Sequence, residues 1–288
     1  MKKIFSKLGN SLFLYLFLGM IFQMIYIAIA KDRFDDREWY SLGVVFFPLY
    51  CCSFPIFLFR CRSMRKANVT QAVTQLSMMH LAECLVITFA LCIIGIIPGS
   101  LIDSMLLSDS TVLEGAMASS GLVWRLVVIG IVGPVVEEYV YRKAVIDTIR
   151  GFHPFVAVFM SALMFSLSHG NLTQGFFTFL VGFFWGMIYW KTGRIRYTIM
   201  LHIILNSFTS VIMVSLSPEQ TAFGICSMFL FLFLILGIGI MIFKRRTIKK
   251  IFSEMQIGTS KAVFKECLNL GMILYMIFCG CLFAMTYQ

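Results

Sequence analysis

The chain has 288 residues, of which 59% are hydrophobic and 13% are charged, and its net charge is +10. A soluble domain carries about twice this charged fraction, so the composition excludes an ordinary soluble globular protein. The nine cysteines form no CxxC pair and most of them lie in apolar runs, which argues against a disulfide framework and against a thiolate zinc site.

Nine apolar runs follow one another along the chain, most of them about 17 to 22 residues long, which is the length of a helix that crosses a bilayer. The sequence therefore predicts an all-α fold, a polytopic transmembrane helical bundle with eight or nine spans. The first run also resembles a signal peptide, but it is longer than the apolar part of most signal peptides, so a span is favoured. The predicted spans are 11–30, 41–59, 78–97, 121–141, 154–169, 172–190, 197–217, 222–243 and 264–286.

Lysine and arginine occur in short clusters between these runs, and acidic residues collect in the alternate loops. With a cytoplasmic N-terminus, nearly all of the basic clusters lie on the cytoplasmic side, as the positive-inside rule requires. Topology and contact with anionic lipid thus explain the positive charge, and no nucleic-acid partner is predicted. We predict a multi-pass protein of the cell membrane that is surrounded by the lipid bilayer.

Two adjacent glutamates, Glu137 and Glu138, lie near the end of the predicted fourth span. Carboxylates inside a membrane helix are costly, so each of them indicates a partner or a function. Arg142 follows Glu138 by one helical turn and is placed to pair with it. Glu137 points about 100° away and is free to act as a general base. Alternatively, the helix simply leaves the membrane here with a Glu–Arg pair at its end.

Two histidines lie on the predicted fifth and seventh spans. A spacing of four residues puts Phe165 and His169 on one helix face, and His202 and Asn206 on another. A single histidine on an apolar helix is more often a hydrogen-bonded structural residue than a ligand. Together with the glutamate pair, however, polar faces on three helices satisfy one another best when they converge on one site.

Such a site supports two kinds of chemistry, and both end in hydrolysis of a peptide bond. In the first, His169, His202 and a carboxylate hold a divalent metal ion, most favourably zinc, and leave one position open for water. In the second, Glu137 activates water directly, and the histidines and Asn206 stabilise the oxyanion. Depth is a difficulty, because His169 is predicted about 20 Å from the glutamates unless the fourth helix continues to Arg150 or the fifth is short or tilted.

Taken in order, these motifs resemble those of a known family. The family is the CAAX protease and bacteriocin-processing family, also called Abi, which includes the type II CAAX prenyl endopeptidases. The resemblance covers about residues 117–217, with N-terminal helices in 1–116 and C-terminal helices in 218–288 that carry no assigned motif. The matching motifs are Glu137-Glu138-x-x-x-Arg142, Phe165-x-x-x-His169 and His202-x-x-x-Asn206.

The resemblance implies an all-helical intramembrane metalloprotease, and the compact chain looks like a bacterial member. By it, Glu137 activates the water, and His169, His202 and Asn206 complete the site as metal ligands or oxyanion donors. The substrates of that family range from prenylated C-termini to bacteriocin and pheromone precursors. Because bacteria rarely present prenylated proteins, a bacterial member is expected to cleave a membrane protein or a peptide precursor. The supporting residues that it implies are Glu138, Arg142 and Phe165.

Other functions fit the sequence less well. There is no HExxH motif and no pair of intramembrane aspartates, and Ser119-Ser120 in a predicted outer loop has no oriented base. The main alternative is a non-catalytic membrane protein, such as an immunity factor, a sensor regulator or a transporter, whose buried glutamates relay protons. We find no inverted repeat of the kind that favours transport. Function that survives Glu137→Ala would favour this alternative.

Overall fold

A computed structural model describes residues 2–30, 40, 43–44, 46–62, 64, 75–106, 121–216, 219–256 and 260–287, so Ser119 and Ser120 lie outside the described residues. All regular elements in these ranges are helices, which confirms the predicted all-α class. In chain order they are α1 (Lys2–Ala30), α2 (Phe46–Ser53 and Phe54–Arg62), α3 (Met78–Leu106), α4 (Leu122–Arg125, Leu126–Val132, Gly133–Glu137, Glu138–Ile146 and Asp147–Ile149), α5 (Pro154–Leu167), α6 (Leu172–Thr192), α7 (Ile195–Asn206, Ser207–Met213 and Val214–Leu216), α8 (Gln220–Phe243), α9 (Arg245–Met255), α10 (Ser260–Cys267) and α11 (Leu270–Thr286).

Five of these helices, α1, α3, α6, α7 and α8, are long and apolar enough to cross a membrane. A sixth span results if α10 and α11, which meet at a bend of 67°, are counted as one. Helix α5 is apolar but has only 14 residues. Helices α2 and α4 overlap the second and fourth predicted spans, and each of them ends later than predicted. The described helices are thus those of a multi-pass membrane bundle.

The described residues include four π-helical stretches, in which the turn is wider than in an α-helix. Such stretches are rare, and they concentrate at functional sites. Helix α4 contains two of them and continues from Leu122 to Ile149, beyond its predicted end, so the alternative of a simple helix end at Glu138 and Arg142 is wrong. Both of these side chains are fully buried within the bundle. The four stretches are Phe46–Ser53, Leu126–Val132, Glu138–Ile146 and Ser207–Met213.

Helix α1 is part of the bundle and packs closely against α11. Phe5, Leu8 and Leu12 are fully buried. At Gly9 the two backbones approach so closely that an added Cβ would lie 2.5 Å from the amide nitrogen of Met272. Helices in a membrane associate through close packing at small residues, because lipid offers no hydrophobic driving force between them. Gly9 therefore permits the contact that joins the first helix to the last.

The turn between α5 and α6 places His169. Helix α5 begins at Pro154, a favoured first position, and ends at Leu167. Gly170 follows with a φ of 70°, a left-handed conformation that glycine adopts without a steric penalty. Helix α6 then begins after Asn171, whose side-chain oxygen accepts a hydrogen bond from the backbone amide of Gln174 and so caps the helix. His169 is therefore held on a short turn inside the bundle.

Candidate active site

A buried ion pair on α4 holds a histidine of α7. Oε2 of Glu138 and Nε of Arg142 are 3.4 Å apart, and neither side chain is exposed. Nδ1 of His202 lies 3.0 Å from the other carboxylate oxygen, Oε1 of Glu138. A carboxylate only accepts hydrogen bonds, so the imidazole donates its Nδ1–H. The predicted Glu–Arg pair is present, and its carboxylate fixes the Nδ1 edge of the His202 ring.

Aromatic rings enclose both the guanidinium and the imidazole. Cζ of Arg142 lies 4.2 Å from the centre of the Phe165 ring. The ring centres of Trp185 and His202 are 4.6 Å apart, and Nε1 of Trp185 donates to the hydroxyl of Thr88 at 3.1 Å. A cation is attracted to an aromatic face, and the attraction grows where water is excluded. These rings therefore orient Arg142 and His202 and shield the charge of the guanidinium from water.

The two glutamates have different surroundings. Glu138 is fully enclosed, whereas 23% of the Glu137 side chain remains exposed, and it lines a cavity. Nε2 of His202 lies 3.5 Å from Oε2 of Glu137. Arg142 therefore balances the charge of Glu138, and the imidazole of His202 lies between the two carboxylates.

Asn206 and His169 complete the set of predicted catalytic residues. The amide nitrogen Nδ2 of Asn206 donates to the carbonyl oxygen of Ile129 at 3.3 Å, which leaves its second N–H for another acceptor. Nδ1 of His169 lies 2.8 Å from the carbonyl oxygen of Phe165. A carbonyl accepts, so the proton is on Nδ1, and Nε2 of a neutral His169 is an acceptor.

One cavity of about 390 Å³ is lined by all four of these side chains, Glu137, His169, His202 and Asn206. The predicted difference in depth between His169 and the glutamates is therefore absent. Both conditions that close the gap are met, since α5 has only 14 residues and α4 continues to Ile149. The structure thus brings together the three polar helix faces that the sequence predicts to converge.

The cavity also has a wall that the sequence reasoning missed. Tyr15 and Leu16 of α1 line it, as do Leu49 and Tyr50 of α2. A tyrosine in an apolar span is a signal, because its hydroxyl needs a polar neighbour, but the first two predicted spans contain several tyrosines. All four π-helical stretches contribute to the lining, through Tyr50, Ile129, Tyr141 and Thr209.

A metal ion is one of the two predicted routes to hydrolysis. Within the described ranges, no three His, Cys, Asp or Glu side chains are grouped closely enough to hold one. Both ring nitrogens of His202 face carboxylates, and Nδ1 of His169 is bonded to a backbone carbonyl. In this arrangement the residues do not fit a zinc centre with three protein ligands. The zinc ion stays a prediction, and the second route, in which Glu137 acts directly, fits the residues better.

Residues 119–208 match the sequence model of the type II CAAX prenyl endopeptidase Rce1-like family. The match contains every motif residue and confirms the resemblance for this segment. A protein of Bacillus subtilis that is named "Putative membrane peptidase YdiL" is 30% identical over 96 residues, which are 33% of this chain and 38% of that protein. The membrane-embedded CAAX protease MroQ of Staphylococcus aureus is 32% identical over 98 residues, which are 32% of this chain and 39% of that protein.

The chain spans less than two fifths of the length of these two relatives. No solved structure shows significant similarity to it. Both relatives come from bacteria and are named as membrane proteins, and the apolar helices of the chain agree with that location. The predicted location, a multi-pass protein of a bacterial membrane, is confirmed.

Proposed function

We propose that this protein is an intramembrane endopeptidase that hydrolyses a peptide bond in a membrane-associated protein or peptide precursor. The observation that carries the proposal is the cavity where Glu137, His169, His202 and Asn206 meet inside a helical bundle. The match of residues 119–208 to a protease family supports it, as do the names of the two relatives. A carboxylate, imidazoles and an amide around a sheltered cavity are the groups that water-dependent amide hydrolysis needs.

In the first step, Glu137 acts as general base. It is the glutamate that reaches the cavity, whereas Glu138 is enclosed and paired. Glu137 removes a proton from a water molecule while the water oxygen forms a bond to the scissile carbonyl carbon. The carbonyl electrons move to its oxygen, which becomes an oxyanion. Nε2 of His169 accepts the second hydrogen bond of the water, and an N–H of Asn206 donates to the oxyanion.

In the second step, the tetrahedral intermediate collapses. The oxyanion restores its carbonyl bond, the C–N bond breaks, and the proton on Glu137 passes to the leaving amine nitrogen. His202 lies 3.5 Å from Glu137 and is placed to hold that proton between the two steps. Each proton taken from water is therefore returned to product, and Glu137 is again a carboxylate.

Glu138 and Arg142 have a supporting role in this proposal. The Glu138 carboxylate accepts from Nδ1 of His202, so Nε2 is the nitrogen that faces Glu137. Arg142 keeps Glu138 ionised, because a buried carboxylate without a counter-charge would be neutralised by a proton. Phe165 lies between Arg142 and His169, with its ring centre 4.9 Å from that of His169. These contacts fix the direction of both imidazoles.

The test compares peptide termini from cells that make the wild-type protein with those from cells that make Glu137→Gln at matched abundance. Termini that disappear only in Glu137→Gln identify cleaved substrates. A matched control is Glu219→Gln, which makes the same chemical change at an exposed residue at the start of α8. Identical termini in all three strains, with the deletion phenotype rescued by Glu137→Gln, would refute the proposal and favour a non-catalytic membrane role.

A further inference from the structure

An oxyanion hole is formed by preorganised hydrogen-bond donors, and the motif residues supply few of them. Nδ1–H of His202 is bonded to Glu138, and its other nitrogen faces Glu137. Nδ1–H of His169 is bonded to the Phe165 carbonyl. Among these side chains only Asn206 retains an N–H directed to the cavity. The proposed reaction therefore calls for a second donor from elsewhere in the wall.

We infer that this donor is Tyr50 of α2, and that its phenol hydroxyl hydrogen-bonds the oxyanion opposite the amide of Asn206. The inference rests on the proposed peptidase function. It assigns a catalytic residue to the N-terminal helices, where the sequence shows no motif. A phenol is suited to this role because it donates one hydrogen bond and remains uncharged at neutral pH.

The position of the hydroxyl supports the inference. Tyr50 and Glu137 line the same cavity. The Tyr50 oxygen lies 2.8 Å from the point that a Cβ on Gly133 would occupy. Gly133 is one turn before Glu137 on α4, so both residues lie on the same face of that helix. The hydroxyl therefore reaches the surface of α4 that carries the general base.

The hydroxyl is also available to a ligand. Among the described residues, no hydrogen bond or ion pair engages Tyr50, whereas the hydroxyl of Tyr141 in the same cavity is already bonded to that of Tyr275 at 3.4 Å. The Tyr50 ring is held edge-on by Phe46, with 6.2 Å between ring centres. A phenol that is oriented in this way and lines the cavity can donate its hydrogen bond to a group that arrives with the substrate.

The local backbone agrees with this assignment. Tyr50 lies in the π-helical stretch Phe46–Ser53, and the three other π-helical stretches also contribute residues to the cavity wall. π-Helical turns cost hydrogen-bond geometry and are found where a side chain has to be directed to a functional site. The stretch in α2 is thus explained by the cavity rather than by packing alone.

The experiment measures kcat and KM for cleavage by the full-length protein in liposomes. The substrate is a purified precursor whose termini depend on Glu137. For Tyr50→Phe we expect kcat to fall about 100- to 1,000-fold, as for the loss of one oxyanion donor, with KM changed by less than about threefold. The control is Tyr26→Phe, which removes a hydroxyl that packs against Gly43 outside the catalytic cavity and should leave both constants unchanged.

A second variant separates loss of the donor from a general disturbance. Gly133→Ala places a methyl group against the Tyr50 oxygen and should lower kcat in the wild-type background. In Tyr50→Phe the contact with the hydroxyl is absent and the ring carbon Cζ lies 3.7 Å away, an ordinary contact. The carbonyl oxygen of Val128, 3.3 Å away, is met in both backgrounds, so the same substitution should lower kcat much less in Tyr50→Phe. Two substitutions that both act on the Tyr50 hydroxyl have non-additive effects on kcat.

The outcomes distinguish this inference from the proposed function. Cleavage that is lost in Glu137→Gln but unchanged in Tyr50→Phe overturns the role of Tyr50 and leaves the peptidase function standing. A loss in Tyr15→Phe instead of Tyr50→Phe assigns the donor to Tyr15 and also overturns it. If the wild-type protein and Glu137→Gln do not differ, the peptidase function fails and the role of Tyr50 fails with it.

Discussion

The ion pair inside the bundle predicts a large effect of a single neutral substitution on stability. Arg142→Met keeps most of the side-chain volume but removes the charge that lies 3.4 Å from Glu138. Because both side chains are fully enclosed, water cannot take the place of the lost partner. Breaking a buried pair in this way costs about 3–5 kcal/mol. At roughly 2–3 °C per kcal/mol, the melting temperature should fall by about 6–15 °C.

The double variant Glu138→Gln/Arg142→Met is the matched control. It contains no charge at either position of the pair, and the amide carbonyl that replaces the Glu138 carboxylate still accepts a hydrogen bond from His202. Removing both members of a buried pair is often close to neutral. We therefore expect the double variant to recover most of the lost stability, although its cleavage activity should remain low because His202 has lost an ionised partner.

The exposed cysteines Cys51, Cys52 and Cys281 are first alkylated in the folded protein. A thiol-reactive fluorophore then measures these transitions in detergent, because the buried free thiols become reactive as the protein unfolds. The reasoning would be refuted in either of two ways. Arg142→Met could melt within about 2 °C of the wild-type protein, a change in melting temperature too small for the free-energy cost of an unpaired buried charge. Alternatively, the double variant could melt no higher than the single one.

Two further predictions concern pH and metal ions. Lys191 Nζ lies 2.6 Å from Oε2 of Glu254 on the polar helix α9, and this hydrogen bond lowers the pKa of Glu254. The stability that the hydrogen bond contributes is therefore present at pH 7 and is lost as the pH falls through the lowered pKa. Lys191→Met should therefore lower the melting temperature slightly at pH 7 and not at pH 3, as followed by tryptophan fluorescence; an equal effect at both values would contradict it. Since both nitrogens of His202 face carboxylates, we also expect cleavage to persist after dialysis against a strong chelator, and activity that is lost and then restored by zinc would favour the metal route instead.

Local spacing predicts part of the site. Residues four apart on a helix share a face, which is why the sequence predicts the pairing of Glu138 with Arg142. The same rule predicts the contact between Phe165 and His169, whose ring centres are 4.9 Å apart. Apolar run lengths likewise predict the helices, because a bilayer requires a minimum length of continuous helix. These features depend on only a few neighbouring residues.

Contacts between helices are less accessible from the sequence. Hydropathy shows how long a helix is, but it does not show how the helix is rotated or which neighbour it packs against. The position of His202 between both glutamates depends on the docking of α7 on α4. The place of Tyr50 in the cavity depends on a π-helical stretch and on close contact with Gly133. No spacing rule connects residues that are this far apart in the chain.

The charges on α4 have a consequence for how the protein is made. On a lone helix at the centre of a bilayer, each ionised group costs about 2.5–3.5 kcal/mol during insertion, so Glu137, Glu138 and Arg142 together cost roughly 8–10 kcal/mol. Pairing of Glu138 with Arg142 within the helix offsets only part of this insertion cost. The carboxylates reach their shared imidazole only after the ribosome has passed residue 202. Helix α4 should therefore wait beside the insertion machinery until α7 emerges, and chains truncated before α7 should fail to integrate it and be degraded.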